Sequence, residues 1–210
     1  MDTSKNARNI HIRRGTRLEY FTIAYNSLEG LISIVAGLIA GSISLIGFGF
    51  DSLIEVTSGG ALLWRLHCDS DSVSREKTEK TTLQIVGWCF VALSIYILYD
   101  SSSSLLRQEA PERSIPGIII AALSVIVMPV LAAAKRRVAA GIGSAAMQAD
   151  SRQTDFCTYL SAILLCGLLL NALLGWWWAD PVAALAMVPI ILNEGVQSLK
   201  GKKCCDECCR

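Results

Sequence analysis

Charge is scarce in this chain: of its 210 residues 18% are charged, against 52% hydrophobic. Neither sign prevails, with 19 basic and 18 acidic side chains. Without a basic excess there is no field to hold nucleic acid, so no nucleic-acid partner is expected. Without an acidic excess there is no case for a disordered, self-solvating chain. The sequence has no glycine-rich phosphate loop for ATP and no nucleophile placed with a base, so an enzyme is not expected, nor a tightly bound cofactor. Residues 1–17 are polar and basic, without the apolar stretch or small-residue cleavage site of a signal peptide.

What the chain has instead is long apolar runs, reflected in a mean hydropathy of +0.46. Residues 82–99, 115–134 and 156–178 contain no charged side chain. As helices these runs are long enough to cross about 30 Å of hydrocarbon. Two further segments in the first third are as apolar apart from Glu19, Glu29, Asp51 and Glu55, and a last one near the C-terminus is interrupted by Glu194. Lipid offers no partner to free backbone groups, and runs of this length fit helices rather than barrel strands. The pattern predicts an all-α, polytopic membrane protein with six helices, near 16–40, 42–65, 80–104, 114–135, 147–174 and 176–199. Residues 1–15 would form a polar arm and 200–210 a tail, with no soluble domain after the sixth helix.

Lysine and arginine orient the bundle. They gather before the first helix, after the second, between the fourth and fifth, and in the tail, whereas only Arg107 and Arg113 fall on the other side. The positive-inside rule then puts both termini in the cytoplasm, which requires an even number of spans. The expected location is a multi-pass protein of the plasma (inner) membrane, with the lipid bilayer as its surroundings.

Carboxylates inside such helices need a reason, because each costs about 2.5–3.5 kcal/mol near the bilayer centre on insertion scales. Asp51 and Glu55 stand four residues apart and so share one helical face, where they could hold a divalent cation between them. The plainer alternative is that each bonds a neighbouring helix or a basic residue, but no lysine or arginine is expected at that depth. On helix five, Asp150, Gln153 and Cys157 follow at three and four residues and form a stripe, with Asp155 turned away. Cys157 would be a soft thiolate ligand and Gln153 a neutral oxygen donor, together completing a four-ligand site for Zn²⁺ or a softer relative such as Cd²⁺. Cys157 could also pack as a small apolar side chain, as expected of Cys89 and Cys166, and Gln153 and Asp155 compete for one role. Asn26 and Glu29 on helix one either line the same interior or anchor that helix by hydrogen bonds, and the same choice holds for Asn171 and Glu194. Gly37, Gly41, Gly59 and Gly60 are expected to let helices approach closely.

These residues carry a resemblance. The stretch 36–46 followed by Phe50-Asp51-Ser52-Leu53-Ile54-Glu55 resembles the end of helix one and start of helix two of the cation diffusion facilitator, or cation efflux, family. Ala149-Asp150 with Gln153 and Cys157 resembles its helix five, and Trp178-Ala179-Asp180-Pro181 its start of helix six. The resemblance covers about residues 16–199 and implies an exporter of Zn²⁺-like divalent ions. Protons would be the counter-ion, access would alternate around Asp51, Glu55, Gln153 and Cys157, and the protein would form a homodimer. The family usually has His and Asp where Gln153 and Cys157 stand, so this site is less negative and softer. The expectation is a short form of the family, lacking its usual C-terminal cytoplasmic domain.

The last residues of the sequence include Cys204, Cys205, Cys208 and Cys209. The Cys205-x-x-Cys208 spacing suits a thiophilic ion captured on the cytoplasmic side, the alternatives being palmitoylation or no role. His67, Cys68, Asp69 and Asp71 after helix two are either a weak second metal site or a solvated loop. The functional expectation is a proton-coupled divalent-metal efflux transporter. The alternative is a membrane metal sensor or chaperone that works through its thiol tail.

Overall fold

The structure, a computed structural model, describes residues 2–67, 72–108, 111–143 and 145–200. These form six helices and no strand: α1 (Asp2–Ala40), α2 (Ile43–His67), α3 (Ser72–Arg107), α4 (Ile115–Ile142), α5 (Ala145–Leu174) and α6 (Ala179–Leu199). Each expected segment corresponds to one helix. α1 and α3 begin well ahead of their apolar segments because hydropathy marks the part suited to hydrocarbon, whereas a polar sequence can continue the same helix into water. α6 begins later than expected because Gly175, at φ +67°, turns the chain after α5.

Among the described residues five helices are long and apolar enough to span a membrane, and α2 is not one of them. Asp51, Glu55 and a run of glycine and serine dilute it. Its position accounts for this composition, since α2 packs against α1, α3, α5 and α6 and is thereby screened by protein. The other principal pairs are α1 with α4, α4 with α5, α3 with α6, and α5 with α6.

The bundle is polar inside along one half and apolar outside. Glu19, Thr22, Asn26, Glu29 and Ser33 recur along α1 at three- and four-residue steps and are all buried, while Leu38 and Ile39 on the same helix are 68% and 75% exposed. α4 repeats the arrangement, burying Ser124 and Lys135 and exposing Ile126 and Val130. An exterior of this kind suits lipid, the solvent in which exposed leucine and isoleucine cost nothing. The other half holds an apolar core of Leu45, Phe48, Phe90, Ile97, Leu160, Leu164, Met187 and Ile191, contributed by α2, α3, α5 and α6.

Small residues set how closely the helices meet. A Cβ at Gly30 would lie 3.0 Å from Gly49 O across α1 and α2, and one at Gly87 would lie 3.0 Å from Gly195 O across α3 and α6. Of the glycines expected in this role, Gly37 and Gly59 meet neighbouring atoms, but Gly41 and Gly60 have none within 4 Å. Gly41 instead sits at φ +65° and makes the turn between α1 and α2, a conformation that side chains with a Cβ resist.

After that turn Ser42 Oγ accepts the Leu45 N–H at 3.2 Å and caps α2. Asp180 at the start of α6 adds a second cap, its Oδ1 accepting from Ser42 Oγ at 2.6 Å and from the Ser44 hydroxyl, and its Oδ2 from Ile43 N at 3.0 Å. A carboxylate at a helix N-terminus completes free N–H groups and opposes the helix dipole. The same end is tied by Glu112 N to Ala40 O at 2.7 Å and by Asn171 Nδ2 to Pro111 O at 3.1 Å, which gives Asn171 the anchoring role.

Candidate functional site

α2 brings Asp51 and Glu55 to the face of α5, and both carboxylates are buried. Between them lies Cys157, its Sγ 3.0 Å from Asp51 Oδ2 and 2.8 Å from Glu55 Oε2. A thiol has one proton to give, so it donates to one carboxylate at a time. Thr154, one helical turn before Cys157, donates its hydroxyl to Glu55 Oε1 at 2.7 Å. Gln153 is buried on the same side of α5, with its Nε2 lacking a hydrogen-bond partner. Among the described residues no three His, Cys, Asp and Glu side chains form a ready metal cage. What stands there is two carboxylates from one helix sharing one thiol from another.

Two further polar clusters adjoin this centre. On one side Glu29 of α1 accepts from Ser52 Oγ at 2.7 Å and from the Ser124 hydroxyl of α4, while Tyr25 OH lies 2.9 Å from Ser124 Oγ. Ser52 follows Asp51 directly, so this cluster reaches the centre through α2. Asn26 is fully buried one turn before Glu29, with both side-chain polar atoms unpartnered. Glu29 therefore ties α1 to α2 and α4, and Asn26 adds an uncommitted amide to the same stripe.

On the other side Lys135 of α4 is fully buried, correcting the expectation that no basic residue reaches this depth. Its Nζ lies 2.5 Å from Asp150 Oδ2, 3.4 Å from Glu19 Oε1 and 3.3 Å from Thr154 Oγ1. Lys135 donates to Thr154, and Thr154 donates to Glu55, so the charged cluster joins the centre through one hydroxyl. Asp150 is thus ion-paired rather than a free member of the stripe with Gln153 and Cys157. Asp155 pairs with Arg136 at the partly exposed rim and is not brought to the centre.

Sequence reasoning missed Thr154, Lys135, Ser52 and Ser124, and gave Glu19 no role. Lys135 leads the run Lys135-Arg136-Arg137 and looks like any flanking basic residue. Only its register sets it apart, since Ser124, Met128, Leu131 and Lys135 follow at inward-facing steps of four, three and four. Cys89 and Cys166, expected to pack inside, face outward. Glu194 leaves its Oε2 without a hydrogen-bond partner. Cys68, Asp69, Asp71 and the tail thiols Cys204, Cys205, Cys208 and Cys209 lie outside the described residues, and the side chain of His67 does too.

The arrangement can present hard carboxylate and soft sulfur donors to a cation that enters the bundle. Residues 20–201 match the family model described as the cation efflux transmembrane domain. The chain is also similar to the cation-efflux pump FieF of Shewanella oneidensis, 27% identical over 88 residues, a stretch that covers 42% of this chain and 29% of that relative.

Proposed function

The chain belongs to the cation efflux family, and from that premise we propose that it exports a divalent heavy-metal cation, Zn²⁺ or the softer Cd²⁺, through a site made by Asp51, Glu55, Gln153 and Cys157. The observation that carries this reading is the Cys157 thiol held within 3.0 Å of both carboxylates in the interior of the bundle. A cation taking the place of the thiol proton would meet a thiolate and two carboxylates without either helix having to travel far. Gln153, with its buried amide, is the fourth donor.

Metal and protons compete at these groups, because sulfur binds metal as a thiolate and oxygen as a carboxylate. Protons arriving from the far side therefore favour release, and a proton gradient can drive export as the helices alternate access. Asp150 and the Glu29–Asn26 stripe flank the route on either side of the site. On this reading the protein sits in the plasma membrane with both termini in the cytoplasm, as the lysine and arginine bias supports, and works as a homodimer, as the family resemblance implies.

The test is metal uptake into proteoliposomes under an imposed pH gradient, comparing the wild type with Asp51→Ala across Zn²⁺, Cd²⁺, Co²⁺ and Mn²⁺. Loss of flux in the variant is expected. Wild-type protein without flux for any ion would overturn the reading. If the four tail cysteines prove essential while Asp51→Ala is tolerated, the metal sensor or chaperone alternative takes its place.

A further inference from the structure

Lys135 has no part in the transport reading just given, yet it is among the most costly side chains in the bundle. A lysine fully buried between helices requires compensation, and here it has it: its Nζ is ringed by Asp150 Oδ2 at 2.5 Å, Thr154 Oγ1 at 3.3 Å, Glu19 Oε1 at 3.4 Å and Glu19 Oε2 at 3.5 Å. These groups come from α1, α4 and α5, and Thr154 passes the chain of hydrogen bonds on to Glu55 at 2.7 Å. The ring is made entirely of oxygen, with two carboxylates and a hydroxyl. Without the ammonium it would be an oxygen-rich pocket with two carboxyl groups, the donor set that hard divalent cations take. The centre beside it differs by its sulfur.

We propose that Lys135 is a tethered counter-cation that occupies the Glu19–Asp150 oxygen pocket and so denies it to divalent cations, leaving the Asp51–Glu55–Cys157 centre as their stopping place. The pocket adjoins Glu55, and a divalent cation lodged in it would repel the transported ion from Glu55. An ammonium fixed by its own side chain fills the space between the same acids, carries half the charge of a divalent cation and cannot diffuse away. Lys135 is in this sense a positioning residue that acts on specificity. The inference rests on the cation-transport reading of the neighbouring centre.

The test is binding to the purified full-length chain, with Mn²⁺ as the hard probe counted by its electron paramagnetic resonance signal, and Cd²⁺ as the soft probe followed by sulfur-to-metal charge transfer. Lys135→Gln is expected to bind one more equivalent of Mn²⁺ per chain than the wild type. Lys135→Arg, which keeps the charge, and the double variant Lys135→Gln/Asp150→Asn, which removes an acid with it, are expected to match the wild type. Equal Mn²⁺ binding by Lys135→Gln and wild type would overturn the proposal. If Lys135→Gln is folded only when Mn²⁺ is present, the pocket has accepted the ion as proposed; if it is unfolded with and without Mn²⁺, the proposal fails. Cd²⁺ charge transfer that depends on Cys157 is read in the same samples. Its absence would count against the transport site while leaving the Mn²⁺ count on Lys135 intact.

Discussion

Cys157 Sγ lies 2.8 Å from Glu55 Oε2, a contact between a thiol of α5 and a carboxylate of α2 that are 102 positions apart in the chain. It gives the proposed site its one soft donor. Cys157→Ser keeps the volume and the hydrogen bond but removes the sulfur, so it is expected to shift preference from Cd²⁺ towards Zn²⁺. Competition between the two ions for uptake measures the shift, and an unchanged ranking would remove Cys157 from the ligand set.

The same thiol must surrender its proton to bind metal. Wild-type protein should therefore release one more proton per Cd²⁺ bound than Cys157→Ser, and its Cd²⁺ affinity should fall more steeply as pH is lowered. Calorimetry in buffers of different ionisation enthalpy counts the protons directly. Equal counts in the two proteins would show that sulfur stays protonated or stays unbound.

Thr154 supports Glu55 from behind, donating to Oε1 at 2.7 Å while accepting from Lys135 at 3.3 Å. Groups that orient a metal ligand change affinity about 10- to 100-fold when lost. Thr154→Ala is expected to weaken divalent-cation binding within that range, while Thr154→Ser, which keeps the hydroxyl, is expected to retain most of it. Titration with Cd²⁺ separates the three proteins.

Asp180 is remote from the site and predicts a different phenotype. It is buried and receives the Ser42 and Ser44 hydroxyls and the Ile43 N–H at the start of α2. Asp180→Ala leaves these donors unpaired at a cost of about 1–3 kcal/mol for each buried group. A clear fall in thermal stability in detergent is expected, with metal affinity in the surviving folded protein changed less than in Thr154→Ala. A variant with wild-type stability would mean that water replaces the carboxylate at that cap.

The six helices were legible because hydrocarbon imposes a length and a composition on anything that crosses it, and charge-free runs such as 115–134 satisfy both. α2 was legible for the opposite reason, as the apolar stretch that kept two acids. Helix ends were less so, since α1 and α3 run on through polar sequence that no hydropathy argument marks. Asp51, Glu55 and Cys157 could be selected by spacing within their own helices, and the bundle brings the three together. Spacing also separated Asp155 from that group, and it pairs with Arg136 at the rim.

What the sequence determined by itself is therefore what one helix in lipid must obey: how many segments, which faces, and which acids need a reason to be there. What only the tertiary structure decided is pairing between helices. Lys135 and Arg136 are neighbours in a basic run, yet one is fully buried against Glu19 and Asp150 and the other pairs with Asp155 at the partly exposed rim. A rotation of about 100° per residue separates them on α4, and whether that turn leads into the bundle or out of it depends on where α1 and α5 stand.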